Sequence, residues 1–206
     1  VSRIASTIAA ALLLALIAAS CASAPKELPP ESRLVVALAG IENAPPSNKS
    51  WDEELVSELL KTKRFRVIER AKLDALLAEN ELTLSSLGDT GADQKMLSVT
   101  GADAILFAKV TDIREYSGRW DDAVTGWWGD VSLGIEAKVA ARLVSVANGE
   151  VLAAGEVAGK AEAGKFLGAM GPSVVDKSRA DLTSEAIAAS LEALAQKISR
   201  DAPPRK

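Results

Sequence analysis

From Val131 to Val144 the chain alternates with a period of two across about 13 residues. Val131, Leu133, Ile135, Ala137, Val139, Ala141 and Leu143 are separated by Ser132, Gly134, Glu136, Lys138, Ala140 and Arg142. A period of two places successive side chains on opposite faces of a strand, so one face is dry and the other wet. At ~3.3 Å per residue the run would exceed about 40 Å, longer than an ordinary strand. Asn148-Gly149 follows immediately. That dipeptide suits a tight hairpin, with Glu150 to about Ala161 as the returning strand. A chain with this feature must build a sheet containing an antiparallel pair.

The residues before it read as alternating strands and helices. Arg33 to Gly40 (RLVVALAG) is an almost unbroken apolar run, suited to a strand covered on both faces. Ser50-Trp51-Asp52-Glu53 forms a capping box, with acids where a helix dipole favours them. The helix it opens carries Leu55, Val56, Leu59 and Leu60 and ends near Thr62. Phe65 to Ile68 predicts a second strand, and Ala71 to Glu79 a second helix with Leu73, Leu76 and Leu77. Residues 83–93 read as a loop, and 94–100 as a short helix stopped at Gly101. Ala104 to Val110 predicts a third strand. Residues 162–178, rich in Gly and Ala, read as irregular. Ile187, Leu191, Leu194 and Ile198 predict a closing helix over about 181–199. The order β-α-β-α-α-β-β-β-α predicts an α/β fold, a single-domain sandwich over 33–200 with a mixed sheet and extended hairpins. Residues 201–206 form a tail.

Composition narrows the chemistry. With 48% hydrophobic and 25% charged residues the chain is globular in character, and a net charge of −4 gives no footprint for nucleic acid. The sequence contains no histidine, which excludes Ser-His-Asp and Cys-His nucleophile systems and HExxH zinc sites. Gly159 to Lys165 has P-loop glycine spacing, but Phe166 stands where a magnesium-binding hydroxyl is required. Asp121-Asp122 reads as a solvated turn. No catalytic, cofactor-binding or metal-binding residue emerges, and the expectation is a protein that is not an enzyme and has no cofactor.

The N-terminal end carries a different signal. Arg3 precedes an Ala/Leu-rich run from Ile8 to Ala19. That is the arrangement of a secretory signal peptide, and the run is shorter than the roughly 20 apolar residues that span a bilayer. Ala18-Ala19-Ser20-Cys21 resembles the bacterial lipobox, which implies cleavage after residue 20 and lipidation of Cys21. Residues 1–20 are then a lipoprotein signal peptide, and 21–32, with their prolines, a lipid-anchored tether. Cys21 is the sole cysteine, so no internal disulfide is available. Ala22 in place of an aspartate favours, by analogy, the periplasmic face of the outer membrane.

Four stretches carry a further resemblance: Phe65-Arg-Val-Ile-Glu-Arg70, Lys72 to Glu79, Thr100-Gly-Ala-Asp-Ala-Ile-Leu106 and Val144 to Leu152. In this order, behind a lipobox, they resemble the CsgG family of bacterial outer-membrane lipoproteins in curli and related secretion systems. The similarity covers roughly 33–155. It implies a non-enzymatic outer-membrane lipoprotein that homo-oligomerises, forms an export channel and meets secreted cargo or periplasmic proteins. The alternative is a non-pore periplasmic adaptor or regulator, like the similar LpoB-type activators of penicillin-binding proteins. A channel needs two membrane hairpins per subunit. The first would occupy about 111–133, where Tyr116, Trp120, Trp127 and Trp128 are candidate membrane or partner contacts. The second, about 150–180, is interrupted by Lys160, Glu162 and Lys165 and looks about ten residues short of the family's pattern.

Overall fold

The computed structural model describes residues 27–68, 70–79, 100–122, 125, 127–168 and 171–205. The signal peptide, Cys21, the loop at 83–93 and all but the last residue of the helix expected at 94–100 lie outside the described residues.

Strand β1 (Leu34–Glu42) is followed by helix α1 (Trp51–Lys61), strand β2 (Phe65–Ile68) and helix α2 (Arg70–Glu79). Then come β3 (Ala104–Asp122), β4 (Trp127–Ser145), β5 (Val151–Gly168), β6 (Gly171–Val175) and helix α3 (Arg179–Asp201). The six strands form one mixed sheet in the order β2-β1-β3-β4-β5-β6. β1 runs parallel to β2 and β3, while β3, β4, β5 and β6 are joined by antiparallel pairings. The expected mixed α/β sheet is the observed one.

β1 is apolar on both faces because both are covered. Val36 and Leu38 belong to the main core with Leu55 and Leu59 of α1 and Leu182, Ile187, Leu191 and Leu194 of α3. Ala37 packs with Leu73, Ile105 and Val146 on the other side. α1 and α3 thus lie on one face of the sheet and α2 on the other. The expected cap is present, with Ser50 Oγ accepting from the Glu53 N–H at 3.4 Å. The loop entering α1 is pinned by two bonds: Trp51 Nε1 donates to Pro45 O at 2.9 Å, and Asp52 Oδ1 accepts from the Ile41 N–H at 3.0 Å.

The extended hairpin expected at about 111–133 is present, but the strand bounds read from the local pattern are too short. The third strand does not stop at Val110 but continues to Asp122, and β3 and β4 each run for 19 residues, about 60 Å at ~3.3 Å per residue. Asp121 and Asp122 are therefore not a turn; they close β3, in register with Trp128 and Trp127. The partner strand β5 does not end near Ala161 but reaches Gly168, and residues 171–175 form β6 instead of an irregular segment. The physical reason is that residues 159–163 still alternate. Gly159, Ala161 and Ala163 are buried, while Lys160 is exposed and Glu162 half-buried. The inner face is built from small residues because a helix lies against it.

That helix is α3. A Cβ on Gly159 would collide with Ala186 O and stand 2.5 Å from Ser190 N, so glycine is needed for the close approach. Ser190 Oγ, fully buried, sits 2.8 Å from Ala137 O and ties the helix to β4. The glycine of the expected hairpin turn, Gly149, has φ +69°, a conformation that favours glycine. Asp103, in one of the family-like stretches, has a structural task. Its carboxylate accepts from the Val35 N–H at 2.8 Å and pairs with Arg205 at 3.1 Å, joining β1 to the C-terminal tail.

Candidate functional site

On the face of β3-β4-β5 away from α3, side chains form cross-strand rows. Arg114, Glu136 and Lys160 are register partners on three adjacent strands. Glu136 stands 2.5 Å from Arg114 Nη2 and 3.3 Å from Lys160 Nζ. The alternation assigns it to the wet face and it lies there, but the two flanking cations cover it, leaving it 5% exposed. Burial by itself would raise its carboxyl, but the Lys160 hydrogen bond and the Arg114 charge outweigh burial and hold it below the usual range.

The next row outward is Tyr116, Gly134 and Glu162. The Tyr116 ring lies over Gly134, where an added Cβ would collide with it. Its hydroxyl donates to Glu162 Oε1 at 2.6 Å, and Lys160 Nζ sits 5.7 Å from the ring centroid. Burial, followed by the hydrogen bond and charge of Glu162, pushes the phenol well above its ordinary value.

The four aromatic candidates therefore divide. Tyr116 belongs to this polar row, whereas Trp127 and Trp128 are in register with Asp122 and Asp121 at the hairpin end, about 20 Å further along the strand. Trp120 is in register with Gly129 near the same end. Trp127 is 44% exposed, and Arg119 stands over the Trp128 ring at 5.8 Å from its centroid. Of these rows the sequence offers only Tyr116 as a candidate contact; it places Glu136 on a wet face and makes Lys160 and Glu162 interruptions of a hairpin, with no link between them. The available signal was the recurrence of charge at every second position of the alternating strands: Asp112 and Arg114, Glu136 and Lys138, Lys160 and Glu162.

Among the described residues, two long sheet edges carry no strand. β1 pairs with β3 only as far as Lys109, and β6 pairs with β5 only from Gly164. Among the described residues this leaves Thr111 to Asp122 of β3 and Val151 to Ala163 of β5 without a neighbouring strand on their outer sides. Unpaired edges present rows of N–H and C=O groups able to pair with another chain.

The molecule is thus an α/β domain whose conspicuous surfaces are a long hairpin and free sheet edges. The pattern of the family described as curli production assembly/transport component CsgG matches residues 47–202, and the chain belongs to that family. The match includes the closing helix, beyond the 33–155 span of the resemblance carried by the four sequence stretches. No curated protein matches the chain. Similar solved structures include lipoprotein GNA1162 from Neisseria meningitidis, at 18% identity and TM-score 0.41, covering 79% of this chain and 98% of that one. The LpoB C-terminal domain from Salmonella enterica aligns at 16% identity and TM-score 0.33, covering 62% and 82%. The PelC dodecamer from Paraburkholderia phytofirmans aligns at 12% identity and TM-score 0.39, covering 85% and 94%.

Proposed function

We propose that this is a non-enzymatic bacterial outer-membrane lipoprotein, anchored through Cys21 on the periplasmic face. In this reading it is a homo-oligomeric, non-pore component of a secretion or envelope-assembly system. The observation that carries the non-pore reading is the short β5–β6 hairpin. A membrane strand needs about 9–11 residues with apolar lipid-facing positions. β6 has five residues.

Over Asp112–Arg114 and Glu136–Lys138 the remaining hairpin does not supply a lipid face. One face of β3-β4-β5 carries Asp112, Arg114, Glu136, Lys138 and Lys160, and the other is packed under α3 around Ala137 and Gly159. A Lys turned to lipid at the bilayer midplane costs about 2–4 kcal/mol. The free edges of β3 and β5 support self-association. The channel reading keeps one observation in its favour, since β3 and β4 are extended and paired almost to their tip.

Electron microscopy of the lipidated, detergent-extracted protein tests the proposal. Rings or arcs of subunits without a stem through the detergent belt are expected. A barrel-shaped stem would overturn the non-pore reading, and isolated single subunits would overturn the oligomer.

A further inference from the structure

The chain that leads from Cys21 into the fold is fastened at one end of the sheet. Glu27 pairs with Lys63 at 2.7 Å, Arg33 Nε donates to Leu28 O at 2.9 Å, and the Arg205 N–H donates to Ser32 O at 3.0 Å. Arg205 also pairs with Asp103, and Arg64 Nη2 donates to Ala202 O at 2.8 Å. These residues lie at the base of the sheet. Leu34 and Phe65 open β1 and β2 in register there, and Asp103 stands just before β3. The Asn148-Gly149 turn joins β4 to β5 at the same end, since Ala104 pairs with Ser145. The hairpin that closes β3 on β4 is at the opposite end.

We infer that the lipid on Cys21 holds the domain base-down, with the turns at 62–64 and 147–149 facing the bilayer and the hairpin end that carries Trp127 and Trp128 pointing away from it. This orientation rests on the lipoprotein reading and adds to it which end of the domain meets the lipid.

Chain length decides between the two ends. From Cys21 to Glu27 the chain spans at most about 22 Å when fully extended. The Glu27–Lys63 pair is exposed on both partners, and such a pair holds weakly. If it opens, the next fastened point is Ser32, at most about 40 Å of chain from Cys21. Against this, β3 runs about 60 Å from Ala104 to Asp122. Ser32 lies further down still, because Ala104 is level with Val36 and not with the start of β1. A domain standing on its hairpin end would leave its base farther from the bilayer than the chain can reach, even with Glu27 released. Base-down, the reach is sufficient with every fastening kept. The exposed Trp127, and Trp128 with Arg119 over its ring, then face the periplasm, where a protein and not a lipid would meet them.

The test uses the full lipidated chain on phosphatidylethanolamine–phosphatidylglycerol vesicles that carry a headgroup-labelled acceptor lipid. Cys21 is the sole cysteine and its thiol is consumed by the lipid, so a donor dye attaches only to an introduced cysteine. Ala147→Cys places it at the base and Thr125→Cys at the hairpin end, both exposed positions. Energy transfer to the vesicle is expected to be several-fold stronger from position 147 than from 125. Inserting about 20 Gly/Ser residues after Ala22, a coil of ~25 Å, is expected to lower transfer from 147 and narrow that difference. Equal transfer from both positions, or stronger transfer from 125, at the natural tether length would overturn the orientation and leave the lipoprotein reading standing. Transfer from 147 that the insertion leaves unchanged would overturn the tether as its cause. An unsubstituted chain that takes the dye at Cys21 and stays off the vesicles would overturn the lipoprotein reading and the orientation with it.

Discussion

The Tyr116 hydroxyl donates a 2.6 Å hydrogen bond to the Glu162 carboxylate across the full width of β4. The bond passes over Gly134, the position at which any larger side chain would meet the tyrosine ring. It links the two strands whose outer edges are free, and makes β3, β4 and β5 one cross-braced slab rather than a loose hairpin.

Tyr116 is the sole tyrosine, so its phenolate absorbance reports this bond alone. Its pKa is raised above the ordinary 10.0, chiefly by burial and then by Glu162. The neutral phenol therefore contributes stability that is fully present below pH 10 and is lost as pH rises through the folded-state value. Spectrophotometric titration should show ionisation displaced upward, and Glu162→Gln should bring it back toward the ordinary value without restoring it fully. An unshifted titration in the unsubstituted protein would show that the bond does not persist in solution.

Glu136 has the opposite sign. Its folded pKa lies below the ordinary 4.5, so the native state binds fewer protons than the unfolded chain near that pH. Its contribution is present above about pH 4.5 and is lost as pH falls through the folded value. Glu136→Gln should lower the melting temperature at neutral pH, and the gap from the parent should narrow progressively as the pH falls below that value. A gap that persists unchanged in acid would assign the effect to packing instead of charge.

Gly159→Ala forces a methyl group against the Ala186 carbonyl oxygen and the Ser190 N–H. Overpacking of this kind costs about 1–3 kcal/mol, and backbone atoms have little room to yield. Chemical denaturation should place Gly159→Ala at the upper end of that range. Ser190→Ala, which removes the hydroxyl beside Ala137 O, should cost nearer ~1 kcal/mol. Equal stability of Gly159→Ala and the parent would contradict the docking of α3 described above.

Much of this fold can be read from local chemistry. Ser50 with Glu53 marks the start of α1, Asn148-Gly149 marks the β4–β5 turn, and the large residues from Val131 to Leu143 mark β4. The outer half of β5 is hidden because its inner residues are Gly159, Ala161 and Ala163, whose size is set by α3 and not by the strand. β3 beyond Val110 shows no alternation, because Thr111 to Glu115 are exposed on both faces, and its hairpin is legible only through the family resemblance. The polar rows needed register, since Arg114, Glu136 and Lys160 are brought together only by pairing.

The exposed Trp127 and the neighbouring Trp128 occupy the hairpin end, and two variants separate their contribution to membrane attachment from that of Cys21. Cys21→Ala should leave the membrane fraction or remain unprocessed, with the thermal unfolding of the domain unchanged. Normal processing and undiminished attachment would defeat the lipoprotein assignment. Trp127→Ala with Trp128→Ala should leave stability within ~0.5 kcal/mol of the parent, as substitutions outside a core usually do. Loss of co-purifying envelope proteins with attachment intact would mark a partner contact, the result expected of a non-pore protein. Loss of attachment, with Cys21 still lipidated, would instead mark an interfacial aromatic anchor.

The most direct test of the non-pore account is the permeability of sealed vesicles reconstituted with the lipidated protein and loaded with a small fluorescent dye. The five-residue β6 and the charged Arg114–Glu136–Lys160 row predict that the vesicles stay sealed at densities where assembled protein is visible on their surface. Dye release that rises with the amount of assembled protein would contradict the account and make the β3–β4 hairpin part of a transmembrane barrel.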